Sequence, residues 1–212
     1  MAEGTDSTLS PPGGRPPEVD PERLPPGHAL GGGRYRILRF LASGAMGEVY
    51  EAEDRELSTS VALKRIRPAI ATRPSAAARF KREIQLARRV THASVCRIFD
   101  LGAGPGELFY TRELLGGETR AARLARAGAL SVDEARPIAL QLLAGLGAAH
   151  AAGILHRDLK PHNVILDGGR AVITDFGLAR VDEPSGDDKL TETGALVGTP
   201  AYMAPEQIEG AI

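Results

Sequence analysis

The eight-residue string His156-Arg157-Asp158-Leu159-Lys160-Pro161-His162-Asn163 constrains this chain more than any other feature. It places a carboxylate, an ammonium and an amide on one short loop. Before it, Ser131 to Ala152 reads as a long helix: Ser131 with Glu134 forms a capping box, and Gly153 supplies the stop. After it, Val164 to Leu166 and Ala171 to Thr174 read as short apolar strands joined by the turn Asp167-Gly168-Gly169. On such a loop Asp158 can accept a hydroxyl proton, Lys160 can neutralise developing phosphate charge, and Asn163 can bind a metal. Twelve residues further on comes Asp175-Phe176-Gly177, a carboxylate at a strand end beside a glycine hinge, which suits a Mg²⁺ ligand.

The earlier part of the chain carries signals that are weak one by one. Tyr35 to Leu41 and Val49 to Ala52 read as strands flanking the turn Ser43-Gly44-Ala45-Met46-Gly47. The stretch from Leu41 to Val49 fits a glycine-rich phosphate loop with Ala42 at its first glycine position. Alone, an ordinary hairpin turn explains it as well. Val61-Ala62-Leu63-Lys64 ends a third strand, which runs to Ile66, and its lysine either reaches into a cleft or stands exposed. Ser75 to Val90 reads as a helix, with Phe80, Ile84, Ala87 and Val90 near helical spacing; Glu83 lies on it and is solvated unless a cation meets it. Val95 to Leu101 and Leu108 to Leu114 read as two strands, and Thr119 to Ala127 as a short helix ending at Gly128.

Charge and composition remove several alternatives. Lys plus Arg is 26 and Asp plus Glu is 27, a net charge of −1, which argues against nucleic-acid binding by bulk charge. The single cysteine, Cys96, cannot close an internal disulfide, so a disulfide scaffold is excluded and a reducing cytoplasm fits. The longest uncharged stretch, Pro137 to Leu155, is interrupted by Gln141, His150 and three glycines, and reads as a buried helix of a soluble domain. Residues 1–33 hold seven of the 15 prolines and seven of the 25 glycines with almost no apolar side chains, and are expected to be a disordered leader without targeting features.

Taken in order, these pieces resemble the protein kinase family: a glycine loop, Val61-Ala62-Leu63-Lys64, a helix glutamate, the His156–Asn163 string, Asp175-Phe176-Gly177, and Ala204-Pro205-Glu206. The resemblance runs from about Tyr35 to Ile212. Lys160-Pro161 and Gly198-Thr199-Pro200 look like the serine/threonine branch, and Gly47-Glu48-Val49-Tyr50 and Tyr202–Gln207 are similar to bacterial (Hanks-type) members. The resemblance implies an α+β, two-lobed fold: a β-rich lobe with one helix over about 34–114, and an incomplete helical lobe over about 115–212. It implies ATP and Mg²⁺ in the cleft between them. Ala42, Gly44 and Gly47 would cover the phosphates. Val49, Ala62 and Ile165 would sandwich the base, and Glu113 to Leu115 would form the hinge. Lys64 would contact phosphates and pair with Glu83. Asp158 would be the base, Lys160 and Thr199 would attend the substrate hydroxyl, and Asn163 and Asp175 would hold the metal. Arg157 would meet a phosphate on Thr191 or Thr193.

The sequence also departs from the pattern. Ala42 adds a methyl to the loop, and Arg112 stands where the family has an apolar residue behind the base. The family continues with more helices than Ile212 leaves room for, so the apolar face of the Ser131–Ala152 helix is expected to be exposed. Two functions therefore follow. One is an ATP-dependent serine/threonine protein kinase with a protein substrate, active in signalling and able to use a second copy for trans-autophosphorylation. The other is a catalytically impaired truncated kinase, or a nucleotide-binding scaffold that regulates another protein.

Overall fold

The structure is a computed structural model and describes residues 23–44, 46–104, 107–176 and 200–208. Six strands form one antiparallel sheet in the order β1-β2-β3-β4-β6-β5: β1 Ala29–Leu30, β2 Tyr35–Gly44, β3 Gly47–Asp54, β4 Thr59–Ile66, β5 Ile98–Gly104 and β6 Glu107–Arg112. Alternation along β4 divides its side chains between two environments. Val61 and Leu63 join Leu30, Tyr35, Ile37, Tyr50 and Phe109 in a core on one face. Ile66 turns to the other face, where it meets Leu108, Tyr110 and the helix α2, Pro74–Ala87. That helix buries Ala76, Phe80, Ile84 and Ala87, a stripe at helical spacing. A single turn, α1 Pro68–Ala71, precedes it.

Past the hinge, β7 Glu118–Thr119 pairs with β8 Val164–Asp167, which pairs with β9 Arg170–Ile173. Two helices stand beside this small sheet: α3 Arg120–Ala127, N-capped by Thr119, and α4 Val132–Ala151. The Ser131–Glu134 capping box is present in both directions: the Ser131 hydroxyl accepts from the Glu134 N–H, and Glu134 accepts from the Ser131 N–H at 2.9 Å. A 3-10 turn, Pro161–Asn163, leads into β8, a second covers Pro200–Tyr202, and α5 spans Pro205–Ile208. The two parts are stitched by backbone: the Cys96 N–H donates to the Ile173 carbonyl, and the Ile173 N–H to the Ser94 carbonyl, both at 2.9 Å. Around that stitch Ala87, Val90, Val95, Ala149, Ile154, Ile173 and Phe176 form a shared core.

Two expectations change. The leader does not extend to residue 33. Residues 23–33 form the edge of the sheet: Leu30 is 1% exposed, Leu24 packs on the same core, and the Leu24 N–H donates to the Tyr50 hydroxyl at 3.0 Å. Prolines and glycines dominate the composition there, but two leucines suffice when an edge strand offers them a preformed apolar face. Residues 1–22 lie outside the described part. The second change concerns α4, which buries only Gly145 and Ala149. Val132, Leu140 and Leu143 are exposed, so the stretch read as buried presents an open apolar face among the described residues.

Leu30→Ala is expected to cost about 2–5 kcal/mol, the range for emptying a buried leucine site. Urea unfolding followed by circular dichroism measures it. A cost near zero would mean that residues 23–33 do not belong to the fold.

Candidate active site

A cleft of about 670 Å³ lies between the sheet and the helical part. Its roof is the β2–β3 turn, with Ala42, Gly44, Gly47 and Val49. The two glycines differ in what they are for. A Cβ at Gly47 would stand 2.0 Å from the Arg65 carbonyl, so glycine is required there by the approach of β3 to β4. A Cβ at Gly44 would meet nothing within 4 Å, so that backbone is open toward the cleft. Ala62 and Lys64 line the wall from β4, Glu113 to Leu115 line the back, and Ile165 lies on the floor. Asp158, Lys160, Asn163 and Asp175 complete the floor. Thr199, Thr191, Thr193 and Gly177 lie outside the described residues.

The floor is wired by local geometry. Lys160 Nζ lies 2.8 Å from Asp158 Oδ2. The Asn163 amide donates to the Asp158 carbonyl at 2.8 Å and to Asp158 Oδ2 at 3.2 Å, which leaves the amide oxygen free to coordinate. His156 is buried beneath, its ring 4.7 Å from that of Phe176. The Asp158 N–H donates to Nδ1 at 3.3 Å, so Nε2 carries the proton toward the Thr174 carbonyl at 2.9 Å. Burial, partly opposed by that carbonyl, lowers the tendency of His156 to protonate. Arg157 (φ 64°) and Asp175 (φ 63°) both hold left-handed backbone, a strained conformation for residues with a Cβ and one that collects at functional sites.

Asp175 is the electrostatic centre. Its side chain keeps 20% of its surface. Burial would raise its proton affinity, but Lys64, the charge of Arg112 and a hydrogen bond from Tyr110 hold the carboxyl well below the usual range. Lys64 Nζ is 3.0 Å from Asp175 Oδ2, and the Tyr110 hydroxyl donates to Oδ1 at 2.7 Å. An ionised carboxylate with an amide oxygen nearby is a hard-oxygen donor set, and it fits Mg²⁺, which takes few protein ligands.

The structure departs from the sequence reading at Glu83. Lys64 does not pair with it: Glu83 Oε1 instead lies 3.7 Å from Arg157 Nη1. Arg112 also resolves. It is buried, 8% exposed, and Nη1 donates to the Cys96 sulfur at 3.4 Å while Nε has no hydrogen-bond partner. Burial pushes the Cys96 thiol up and outweighs the lowering by Arg112. Tyr110 was not singled out in the sequence, yet strand alternation puts it on the same face of β6 as Arg112.

A family model described as the protein kinase domain matches residues 35–211. The chain belongs to the protein kinase family. It is 40% identical over 183 residues to the serine/threonine-protein kinase pkn2 of Myxococcus xanthus, covering 84% of this chain and 22% of that protein. It is 41% identical over 179 residues to PknD of Mycobacterium tuberculosis, covering 84% of this chain and 26% of the relative. The chain thus spans about a quarter of the length of these relatives. Among solved structures, the PknI kinase domain of M. tuberculosis aligns with a TM-score of 0.66 at 32% identity, covering 83% of this chain and 69% of that one. The relatives are named as bacterial serine/threonine kinases, and the two-lobed architecture of this kinase domain matches that of the PknI kinase domain.

Because His156 takes up a proton less readily when folded, its contribution to stability is full above about pH 6.5 and is lost as pH falls below that value. Denaturation midpoints at pH 7.5 and 5.5 should therefore drop on acidification, and His156→Gln should flatten the drop. An unchanged slope in the variant would remove His156 as its source.

Proposed function

We propose that this chain carries the catalytic machinery of an ATP-dependent serine/threonine protein kinase, transferring the γ-phosphoryl group of ATP to a protein hydroxyl. The observation that carries the reading is the convergence of Lys64, Asp158, Lys160, Asn163 and Asp175 on one cleft with an open glycine roof. Asn163 and Asp175 would hold Mg²⁺, which would supply positive charge against the phosphates. Lys64 and the roof at Ala42, Gly44 and Gly47 would orient the phosphates. Val49, Ala62 and Ile165 would enclose the base against the backbone of Glu113 to Leu115. Asp158, positioned by Asn163 and Lys160, would accept the proton of the attacking hydroxyl, and Thr199 would help to seat that hydroxyl. A cytoplasmic location and transfer between two copies of the chain belong to the same reading; among the described residues no helix is long and apolar enough to cross a membrane.

A second reading, a nucleotide-binding module with impaired transfer, is favoured by the Glu83–Arg157 pair, which leaves Lys64 without its helix partner. The two readings meet in one mechanism. A phosphate on Thr191 or Thr193 would bring roughly −1.5 to −2 charge to Arg157 and release Glu83 toward Lys64.

Incubation of the chain with Mg-ATP and a serine/threonine protein, followed by intact mass, tests the main reading. Phosphate should be gained, and Asp158→Asn should slow the gain by about 10²–10⁴-fold, the share of a general base. A folded parent that binds ATP and transfers nothing would support the second reading. Thr191→Ala with Thr193→Ala should lower the rate; a rate equal to that of the parent would remove the loop phosphate from the scheme.

A further inference from the structure

Among the described residues Asp175 has two side-chain partners, Lys64 and Tyr110, and phosphoryl transfer as proposed employs only the first. Lys64 and Tyr110 stand directly opposite each other across the β4–β6 pair, as do Ala62 and Arg112. Directly opposed residues project from the same face of the sheet, with Cβ atoms about 5 Å apart. That register brings the ammonium to one oxygen of the carboxylate and the phenol to the other. Tyr110 is 1% exposed, and its ring is held by Phe80, with centroids 6.0 Å apart, and by Ile66, Ile84 and Leu108 of the same core. Its hydroxyl oxygen is therefore held in place by the ring. The lysine is less restrictive: an ammonium on a four-carbon stem is a point charge and fixes no rotation.

A carboxylate oxygen has two lone-pair directions. Oδ1 can accept from Tyr110 and still turn its other lone pair to the cleft. Hydrogen bonds behind a metal ligand orient it, and their loss typically costs 10–100-fold in metal affinity. We propose that Tyr110 is a positioning residue for metal binding: its hydroxyl sets the rotation of the Asp175 carboxylate so that the metal meets correctly aimed oxygen. This rests on the reading of Asp175 as a Mg²⁺ ligand.

Mn²⁺ titration of the 212-residue chain saturated with ADP, followed by the electron paramagnetic resonance of free Mn²⁺, tests it without any turnover. Tyr110→Phe keeps the ring and removes only the hydroxyl. The dissociation constant for Mn²⁺ is expected to rise about tenfold or more, while ADP affinity measured without metal stays at the parent value. A Tyr110→Phe chain that binds Mn²⁺ as tightly as the parent overturns the inference, whatever happens to its melting temperature. A purely structural role would lower that temperature and leave Mn²⁺ affinity per folded molecule unchanged. Tyr110→Met, which also lacks the hydroxyl and fills core space adaptably, gives the same readout should the phenylalanine variant not fold. A parent that binds ADP but takes up no Mn²⁺ overturns the reading of Asp175 itself.

Discussion

One carboxylate organises the cleft. Asp175 lies two residues past the end of β9 and is partly withdrawn from water, and a carboxylate withdrawn from water is costly unless it is paired and hydrogen-bonded. Lys64 and Tyr110 meet that cost from the sheet above, and Arg112 adds its charge. The demand reaches outward. Lys64 and Tyr110 arrive together only because β4 and β6 pair in one register. That register is maintained by apolar residues on both faces of the sheet. The next residue, Phe176, packs against His156, which bonds to the Thr174 carbonyl and steadies the loop that bears Asp158.

Two ion pairs stand in this region, Lys64 with Asp175 and Arg157 with Glu83. Glu83 sits on α2 and Arg157 on the loop after α4, so the second pair spans the two lobes. Its 3.7 Å separation and partly exposed partners make it the weaker of the two. The alternative pairing, Lys64 with Glu83, uses the same four residues.

Much of this was legible beforehand where the determinants are local. The α4 cap needs only Ser131 and Glu134, three residues apart. The loop from His156 to Asn163 needs only its own order and its flanking elements. Strand alternation made β4 readable, but whether Lys64 entered a cleft was left open until the fold put it on the cleft wall. The misses are tertiary. Leu30 and Leu24 look like isolated leucines in a proline-rich leader until an edge strand receives them. Strands β1 and β7 have two residues each and carry no period that could be read. Arg112 stands in an apolar residue's place by sequence, and only the fold shows it buried with its guanidinium on the Cys96 sulfur.

The sequence by itself determined the family, the order of the elements and the list of polar groups that face one cleft, because these depend on spacing along the chain and on short-range chemistry. Which carboxylate each cation takes was decided only in three dimensions. Lys64 is 19 residues from Glu83 and 111 from Asp175 along the chain, yet it pairs with Asp175. Coulomb attraction falls with distance in space, and that distance is set by strand register and helix placement, which no local pattern records.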